Sequence, residues 1–111
     1  MAYEQRYEGT LVFSSKEAFA QALDALQTEE GCDFTDCVFE RASLNLDGLE
    51  LRVREIGSFP ASFWDITTFV LAYLGESASS GAICCTYDSG EGVPLVEWVG
   101  PDRPLPQPET L

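Results

Sequence analysis

The stretch LNLDGLELRV, at residues 44–53, decides the fold prediction because its apolar residues are arranged symmetrically about its centre. The two central residues, Asp47 and Gly48, are typical of the type I′ turn of a two-residue β-hairpin, which needs positive φ at both positions. With that turn the leucines pair across the two strands on one face, and Ala42 opposes Val53 on the same face. The polar residues on the other face are Ser43, Asn45, Glu50, Arg52 and Arg54. The stretch therefore predicts a hairpin with one buried face.

The residues before this hairpin predict a strand followed by a helix. Residues 5–13 alternate between apolar and polar side chains, which is the period of a half-buried strand. Ser14 and Glu17 have the spacing of a capping box, in which the serine accepts from the amide three residues on. A helical apolar stripe follows, and the helix is expected to end near Gly31. The stripe consists of Phe19, Ala22, Leu23 and Leu26.

The residues after the hairpin predict a second helix and a second hairpin. The helix is expected to begin between residues 58 and 62, where Pro60 is tolerated in the first turn. Strands at residues 82–87 and 93–99 then flank a DSGEG turn. Because Pro94 cannot donate a ladder hydrogen bond, the returning strand is expected at the edge of the sheet. The buried stripe predicted for the helix is Phe59, Phe63, Ile66, Val70, Tyr73 and Leu74.

The complete order of predicted elements is β-α-β-β-α-β-β, which indicates an α+β domain. The two crossovers through helices favour a mostly antiparallel sheet with both helices on one face. This order resembles the ferredoxin-like split βαβ arrangement with one added edge strand. We expect a single domain over residues 1–99 and an extended, poorly packed tail over residues 100–111, which are rich in proline. The open sheet face would carry Arg6, Glu8, Asn45, Glu50, Arg52 and Arg54.

The charge balance restricts the classes of partner. The 111 residues include 19 acids and 6 bases, which gives a formal net charge of −13. Such a field repels nucleic acid and anionic lipid surfaces, and it attracts basic proteins. An acidic surface can also serve solubility alone. We therefore expect no nucleic-acid and no membrane partner, and a basic protein partner where the acidity is functional.

The groups that usually carry catalysis are missing from the sequence. There is no histidine, which removes the commonest general base and a common metal ligand. Lys16 is the only lysine, and there is no glycine-rich phosphate loop or nucleophile motif. The chain is therefore predicted not to be an enzyme and to use no cofactor. It has neither the pattern of a signal peptide nor an apolar run long enough to span a membrane, so a cytoplasmic protein is expected.

The four cysteines do not predict a metal site. Cys32 and Cys37 are separated by four residues, and Cys84 and Cys85 are adjacent. Because neighbouring side chains of a strand point to opposite faces, the adjacent pair cannot easily bind one ion. We expect Cys84 and Cys85 to act as small apolar side chains, one in the core and one on the other face. In a reducing cytoplasm all four would be free thiols.

The candidate contact residues for a basic partner lie mainly in the last hairpin. Acids beside an aromatic side chain, on an exposed turn and an edge strand, suit an electrostatically steered interface. For Trp64 two interpretations stay open, an exposed binding residue or a half-buried residue where the helix meets the sheet. The acids have the further interpretation of an ordinary solvated surface. The candidates are Asp88, Glu91, Glu97, Trp98, Trp64, Asp65 and Glu76.

In size, acidity and lack of catalytic groups, the whole chain resembles the bacterial immunity proteins that pair with polymorphic toxins. The resemblance implies an inhibitor that binds a basic toxin enzyme and occludes its substrate cleft. No motif carries the resemblance, so it assigns no residue. Two alternatives stay open. One is a ferredoxin-like regulatory or ligand-binding module, homodimeric through its edge strand, and the other is an acidic DNA mimic that inhibits a DNA-processing enzyme.

Overall fold

A computed structural model describes residues 2–39, 44 and 48–104 of the chain. In this part of the chain the strands form one sheet in the order β2-β1-β3-β4, and every neighbouring pair is antiparallel. The predicted α+β class and antiparallel sheet are therefore confirmed. The elements are β1 (Ala2–Val12), α1 (Lys16–Thr28), β2 (Glu50–Pro60), α2 (Ala61–Ser77), β3 (Ser80–Asp88) and β4 (Leu95–Val99).

One face of the sheet is buried under both helices. In β1, Tyr7 and Leu11 are fully buried whereas Arg6 is exposed, which is the alternation predicted for this strand. Helix α2 contacts all four strands, and α1 packs against α2. Both helices lie on this face as predicted, and the opposite face, called the open face below, is uncovered. The buried apolar residues that the strands contribute are Tyr7, Leu11, Leu51, Val53, Ile83, Cys85 and Val99.

Helix α1 buries the predicted stripe but begins with a different cap. Its buried residues are those predicted from the helical period, from Phe19 to Leu26. The N-cap is Ser15, whose hydroxyl accepts from the amide of Ala18 at 3.1 Å. The predicted capping role of Ser14 is wrong because the extended backbone of Ser15 brings the second serine, not the first, onto the free amide.

Helix α2 buries a different face from the predicted stripe. Val70 and Leu74 are buried as predicted, but the other members of that stripe are only half-buried, and Phe59 belongs to β2. The helix contacts both the sheet and α1, so its buried surface extends to two threonines. Their hydroxyls are satisfied locally: Thr68 donates to the carbonyl of Trp64 at 2.7 Å, and Thr67 accepts from the amide of Val38 at 3.1 Å.

The two predicted hairpins have different outcomes. The first strand of the LNLDGLELRV hairpin, around residues 42–46, falls largely on residues outside the described part of the chain. The complete seven-element order is therefore not confirmed. The second hairpin is confirmed: β3 and β4 pair, and the turn between them has positive φ at Gly90 and Gly92. Strand β4 begins directly after Pro94 and lies at one end of the sheet, as predicted.

Close pairing of β1 with β3 depends on a glycine. Gly9 lies opposite Ile83 and has a φ of 150°, a region that L side chains rarely adopt. A Cβ at Gly9 would overlap the carbonyl oxygen of Ala82. A larger residue here would force β1 and β3 apart at the centre of the sheet.

The beginning of the predicted tail is tied to the sheet. The carboxylate of Asp102 accepts from the amide of Gly81 at 2.6 Å, and its own amide donates to the carbonyl of Gly81 at 3.0 Å. Gly100 is buried. Asp102 is therefore hydrogen-bonded to the sheet, although Pro101, Asp102 and Arg103 are exposed, and residues 105–111 lie outside the described part. The boundary at residue 99 stays a prediction.

Candidate functional site

The open face carries mixed charge rather than an acidic surface. By alternation and register, it presents Arg6 and Glu8 of β1 beside Arg52 and Arg54 of β2. Two ion pairs form within single strands, Arg6 with Glu8 at 3.5 Å and Arg52 with Glu50 at 3.1 Å. Both pairs are largely exposed and contribute little to stability. Three of the chain's six basic residues lie on this face, so most of the excess acid lies elsewhere.

Strand β4 concentrates exposed apolar side chains at the end of the sheet. Val93 is 90% exposed, Leu95 58%, Val96 59% and Trp98 42%. Single exposed apolar residues are normal on protein surfaces, but a contiguous group marks a candidate interaction site. Within the described residues, four of the seven large apolar side chains classed as exposed lie between positions 93 and 98. The last hairpin is therefore the most apolar exposed segment described.

The two faces of β4 differ in chemistry. Val96 and Trp98 lie on the open face, where their strand partners are Thr86 and Cys84. Glu97 lies on the helix side, opposite the buried Cys85. Leu95 shares that side with Glu97. The strand thus offers an apolar pair on one face and a carboxylate with a leucine on the other.

Carboxylates lie before this strand and on its helix side. In the turn before it, Asp88 accepts from the amide of Gly90 at 2.8 Å, and Glu91 is exposed. On the helix side, Glu76 and Glu97 line one groove between α2 and β4. Burial, and then the charge of Glu97, raise the pKa of the Cys85 thiol to about 12. The structure thus brings four of the predicted acids to the last hairpin and its border.

The predicted aromatic pair does not form one surface. Trp64 is half-buried, with its ring centroid 5.9 Å from that of Tyr7 and 5.5 Å from that of Tyr87. It therefore lies at the boundary of helix and sheet, the second of the two interpretations left open. Asp65 is exposed beside this cluster. Burial raises the pKa of Tyr87, and the neighbouring Tyr3 and Asp65 raise it further. Trp98 lies on the opposite face of the sheet.

Two acid clusters that are distant in sequence meet near Tyr73. Burial raises the pKa of Tyr73, and the carboxylates of Glu29, Glu30 and Glu76 raise it further. The acids at the exit of α1 and the acid near the end of α2 therefore lie close enough to act on one phenol. The sequence could not show this, since only the packing of α1 on α2 brings the two together.

The buried polar groups of β1 are held by hydrogen bonds within the protein, which indicates a structural role. The Tyr7 hydroxyl donates to Gln5 Oε1 at 2.6 Å, and Gln5 Nε2 donates to the carbonyls of Pro60 and Phe59 at 3.0 and 3.2 Å. Burial raises the pKa of Tyr7, with smaller contributions from nearby thiols. A phenol held neutral in this way joins β1 to the start of α2 and is not placed to exchange protons with solvent.

The four cysteines and one cavity are further candidates for a site among the described residues. Cys85 is fully buried and Cys84 is half-buried on the open face, as the alternation predicts, and the four cysteines are free thiols. In the described ranges no group of three or more His, Cys, Asp or Glu side chains could hold a metal ion. A cavity of about 590 Å³ lies along β2, lined by Phe39, Leu44, Gly48 and residues 50–55.

Comparison with family models, curated proteins and solved structures gave no match to this chain. Of the helices that the structure describes, neither has the length and hydrophobicity needed to cross a lipid bilayer. Fold and site are therefore interpreted from this chain's own residues.

Proposed function

We propose that this chain is an immunity-type inhibitor, a small acidic protein that binds a basic toxin enzyme and occludes its substrate cleft. The observation that carries the proposal is the last hairpin, where exposed apolar residues of β4 are bordered by Asp88, Glu91, Glu97 and Glu76. We further propose that it acts in the cytoplasm, without catalysis and without a cofactor.

The net charge supports both the type of partner and the speed of association. A charge of −13 accelerates encounter with a cationic surface and disfavours anionic competitors. Charges at the rim of an interface mainly set on-rate and specificity, whereas apolar anchors such as Trp98 supply residence time. The hairpin offers both kinds of group on one exposed element.

The proposed mechanism is steric and electrostatic occlusion. A cleft that binds phosphate or another anionic substrate is lined by Lys and Arg, and carboxylates such as Glu91 and Glu97 can occupy the same donors. Val96 and Trp98 would cover the adjoining apolar surface and exclude water. Asp65 and Glu76 stay candidate contacts, whereas we assign Trp64 a packing role that holds Asp65 in place.

The ferredoxin-like arrangement is the finer fold proposal. Strands β2 and β3 are each antiparallel to β1 and flank it, and α2 connects them, as in a split βαβ unit. A further strand before β2, paired to its outer side, would complete the predicted order, although Leu44, the one described residue of the predicted strand, is not itself in a strand. That pairing would leave β4 as the free apolar edge.

The test is isolation of a stoichiometric partner from the native cell, followed by charge reversal. The double variant Glu91→Lys/Glu97→Lys should weaken the complex by about tenfold or more, because two attractive charges become repulsive. Glu17→Lys/Asp24→Lys, at two exposed positions of α1, changes the net charge by the same amount and is the control for net charge alone. The proposal fails if no basic partner is recovered, or if the control weakens the complex as much as the hairpin variant.

A second candidate is a regulatory module that binds a small anionic ligand on the open face. It is favoured by the grouping of Arg6, Arg52 and Arg54 on that face of an acidic protein. Thermal stabilisation by a phosphorylated metabolite, lost in Arg52→Gln and Arg54→Gln, would support it. A captured partner that duplex DNA displaces would instead indicate the DNA mimic.

A further inference from the structure

The outer edge of β4 has unpaired backbone. In the described sheet β4 pairs only with β3, so alternate residues of Leu95–Val99 direct an N–H and a C=O away from the sheet. Natural proteins protect such edges with short strands, proline or charge. Strand β4 is five residues long, follows Pro94 and carries one charge, at Glu97. The protection is incomplete because Leu95, Val96 and Trp98 remain exposed beside that edge.

The side chains along this edge specify what could pair with it. On the open face, Val96 and Trp98 offer an apolar surface to every second residue of an added strand. On the helix side, Glu97 and the neighbouring Glu76 offer negative charge to the residues between. Arg103 also lines that groove, but its guanidinium donates to the carbonyl of Gly100 at 3.0 Å. Within the described residues it forms no ion pair with Glu97, so that carboxylate stays available.

A second copy of the chain is a poor occupant of the edge. An antiparallel pairing that uses all five residues of β4 places Glu97 directly opposite Glu97 of the other copy. Like charges in that position destabilise a pair of strands. The two chains would also bring together net charges of −13 each. Charge complementarity favours a basic strand instead.

From this geometry we infer that the basic partner docks by strand addition, placing an extended segment against the outer edge of β4. In that segment Lys or Arg alternates with apolar residues: the basic side chains face Glu97, and the apolar ones lie beside Val96 and Trp98. Backbone hydrogen bonds supply a large part of the affinity, and the alternation supplies specificity. The inference rests on the proposed function, because it specifies how the inhibitor recognises its enzyme.

The first experiment uses four synthetic peptides of eight residues with the isolated chain. One alternates Lys and Val. Two have the same sequence with N-methyl groups on alternate backbone nitrogens of one edge, one peptide for each possible register. The fourth alternates Glu and Val. N-methylation keeps the charge and removes the donors needed for strand addition. The Lys–Val peptide should bind and slow amide hydrogen exchange in residues 95–99. At least one N-methylated register should bind about tenfold more weakly or worse, and the Glu–Val peptide should not bind.

Side-chain variants test the proposed alternation. Glu97→Lys should weaken binding of the Lys–Val peptide by about tenfold, and Trp98→Ala should weaken it by a similar factor. Val96→Thr makes the side chain more polar but keeps it β-branched, which suits a strand. It therefore tests the apolar contact even where a larger substitution would disrupt β4. Asp24→Lys, which changes charge on α1, is the control and should leave most of the affinity intact. Binding of both N-methylated registers as tightly as the unmodified Lys–Val peptide would overturn the inference.

The second experiment measures hydrogen exchange of the full chain with its isolated partner, which separates this inference from the proposed function. Slowed exchange at residues 95–99 in the complex supports strand addition. A stoichiometric basic partner that leaves those amides unchanged overturns strand addition while the inhibitor proposal stands. If the chain alone protects these amides with rising concentration, the occupant is a second copy. If these amides are protected in the chain alone and lose that protection when residues 105–111 are deleted, the occupant is the chain's own C-terminal segment. Either of these two results also overturns the inference.

Discussion

Removal of one buried hydroxyl, in Tyr7→Phe, is a sharp test of the packing that supports α2. The Tyr7 side chain is fully buried, and its hydroxyl donates to Gln5 Oε1 over 2.6 Å. The amide of Gln5 is also buried, and its nitrogen is held by the carbonyls of Phe59 and Pro60, so it cannot rotate to find another donor without losing those bonds.

The expected cost follows from what the substitution leaves behind. Phenylalanine keeps the ring and its packing, but Gln5 Oε1 becomes a buried acceptor without a donor, which costs about 1–3 kcal/mol. For a chain of 111 residues, each kcal/mol corresponds to roughly 4 °C in the unfolding midpoint. Tyr7→Phe should therefore lower the midpoint by about 4–12 °C.

Chemical denaturation combined with a double-mutant cycle is the assay. Gln5→Met removes the partner, so Tyr7→Phe should cost less in the Gln5→Met background, with a coupling of about 1 kcal/mol or more. Tyr3→Phe, a half-buried phenol on the same strand, is the control and should change stability by less than about 0.5 kcal/mol. The reasoning is refuted if Tyr7→Phe matches Tyr3→Phe, or if the two substitutions at positions 5 and 7 are strictly additive.

Four further outcomes follow from named contacts. In the native chain iodoacetamide should modify Cys84 well before Cys85, as read by peptide mass spectrometry; equal rates would contradict their placement on opposite faces. The pKa of Cys85 is raised to about 12 in the folded chain, so the thiol ionises at lower pH in the unfolded chain, near its ordinary pKa of about 8.5. Stability that is present below about pH 8.5 should therefore be lost as the pH rises towards 12. Cys85→Ala should flatten that part of the urea-midpoint profile against pH, and an unchanged slope would count against it. Ser15→Ala should cost about 1 kcal/mol in denaturant unfolding whereas Ser14→Ala costs little, and the reverse order would restore Ser14 as the cap. Gly9→Ala should cost more than about 1 kcal/mol, and a neutral effect on the urea midpoint would show that β1 and β3 do not approach as described.

The sequence predicted local periodicity well and packing between elements poorly. The stripe of α1, from Phe19 to Leu26, was predictable because one side of that helix is buried and the other is solvated. In α2 the same reasoning failed, since this helix contacts the sheet and α1 at once. Buried Thr67 and Thr68 have polar side chains that no hydrophobic pattern assigns to a core, yet each hydroxyl has a hydrogen-bond partner.

The candidate site was predictable in position but not in composition. Pro94 indicated an edge strand, and the acids of the DSGEG turn indicated an exposed loop. Exposure of Val93, Leu95 and Val96 was missed, because an apolar run in a strand is ordinarily read as buried. Only the sheet order shows that β4 has a neighbour on one side alone. The signal that could have found these residues was the proline within an otherwise apolar strand.

The central claim, inhibition of a basic enzyme by occlusion, is tested most directly by titrating the purified chain into its isolated native partner and measuring the partner's activity. The account predicts that activity falls to near zero at one equivalent of chain, and that Glu91→Lys/Glu97→Lys shifts the titration to about tenfold higher concentration or more. Full activity of the partner when it is saturated with the chain would contradict the claim.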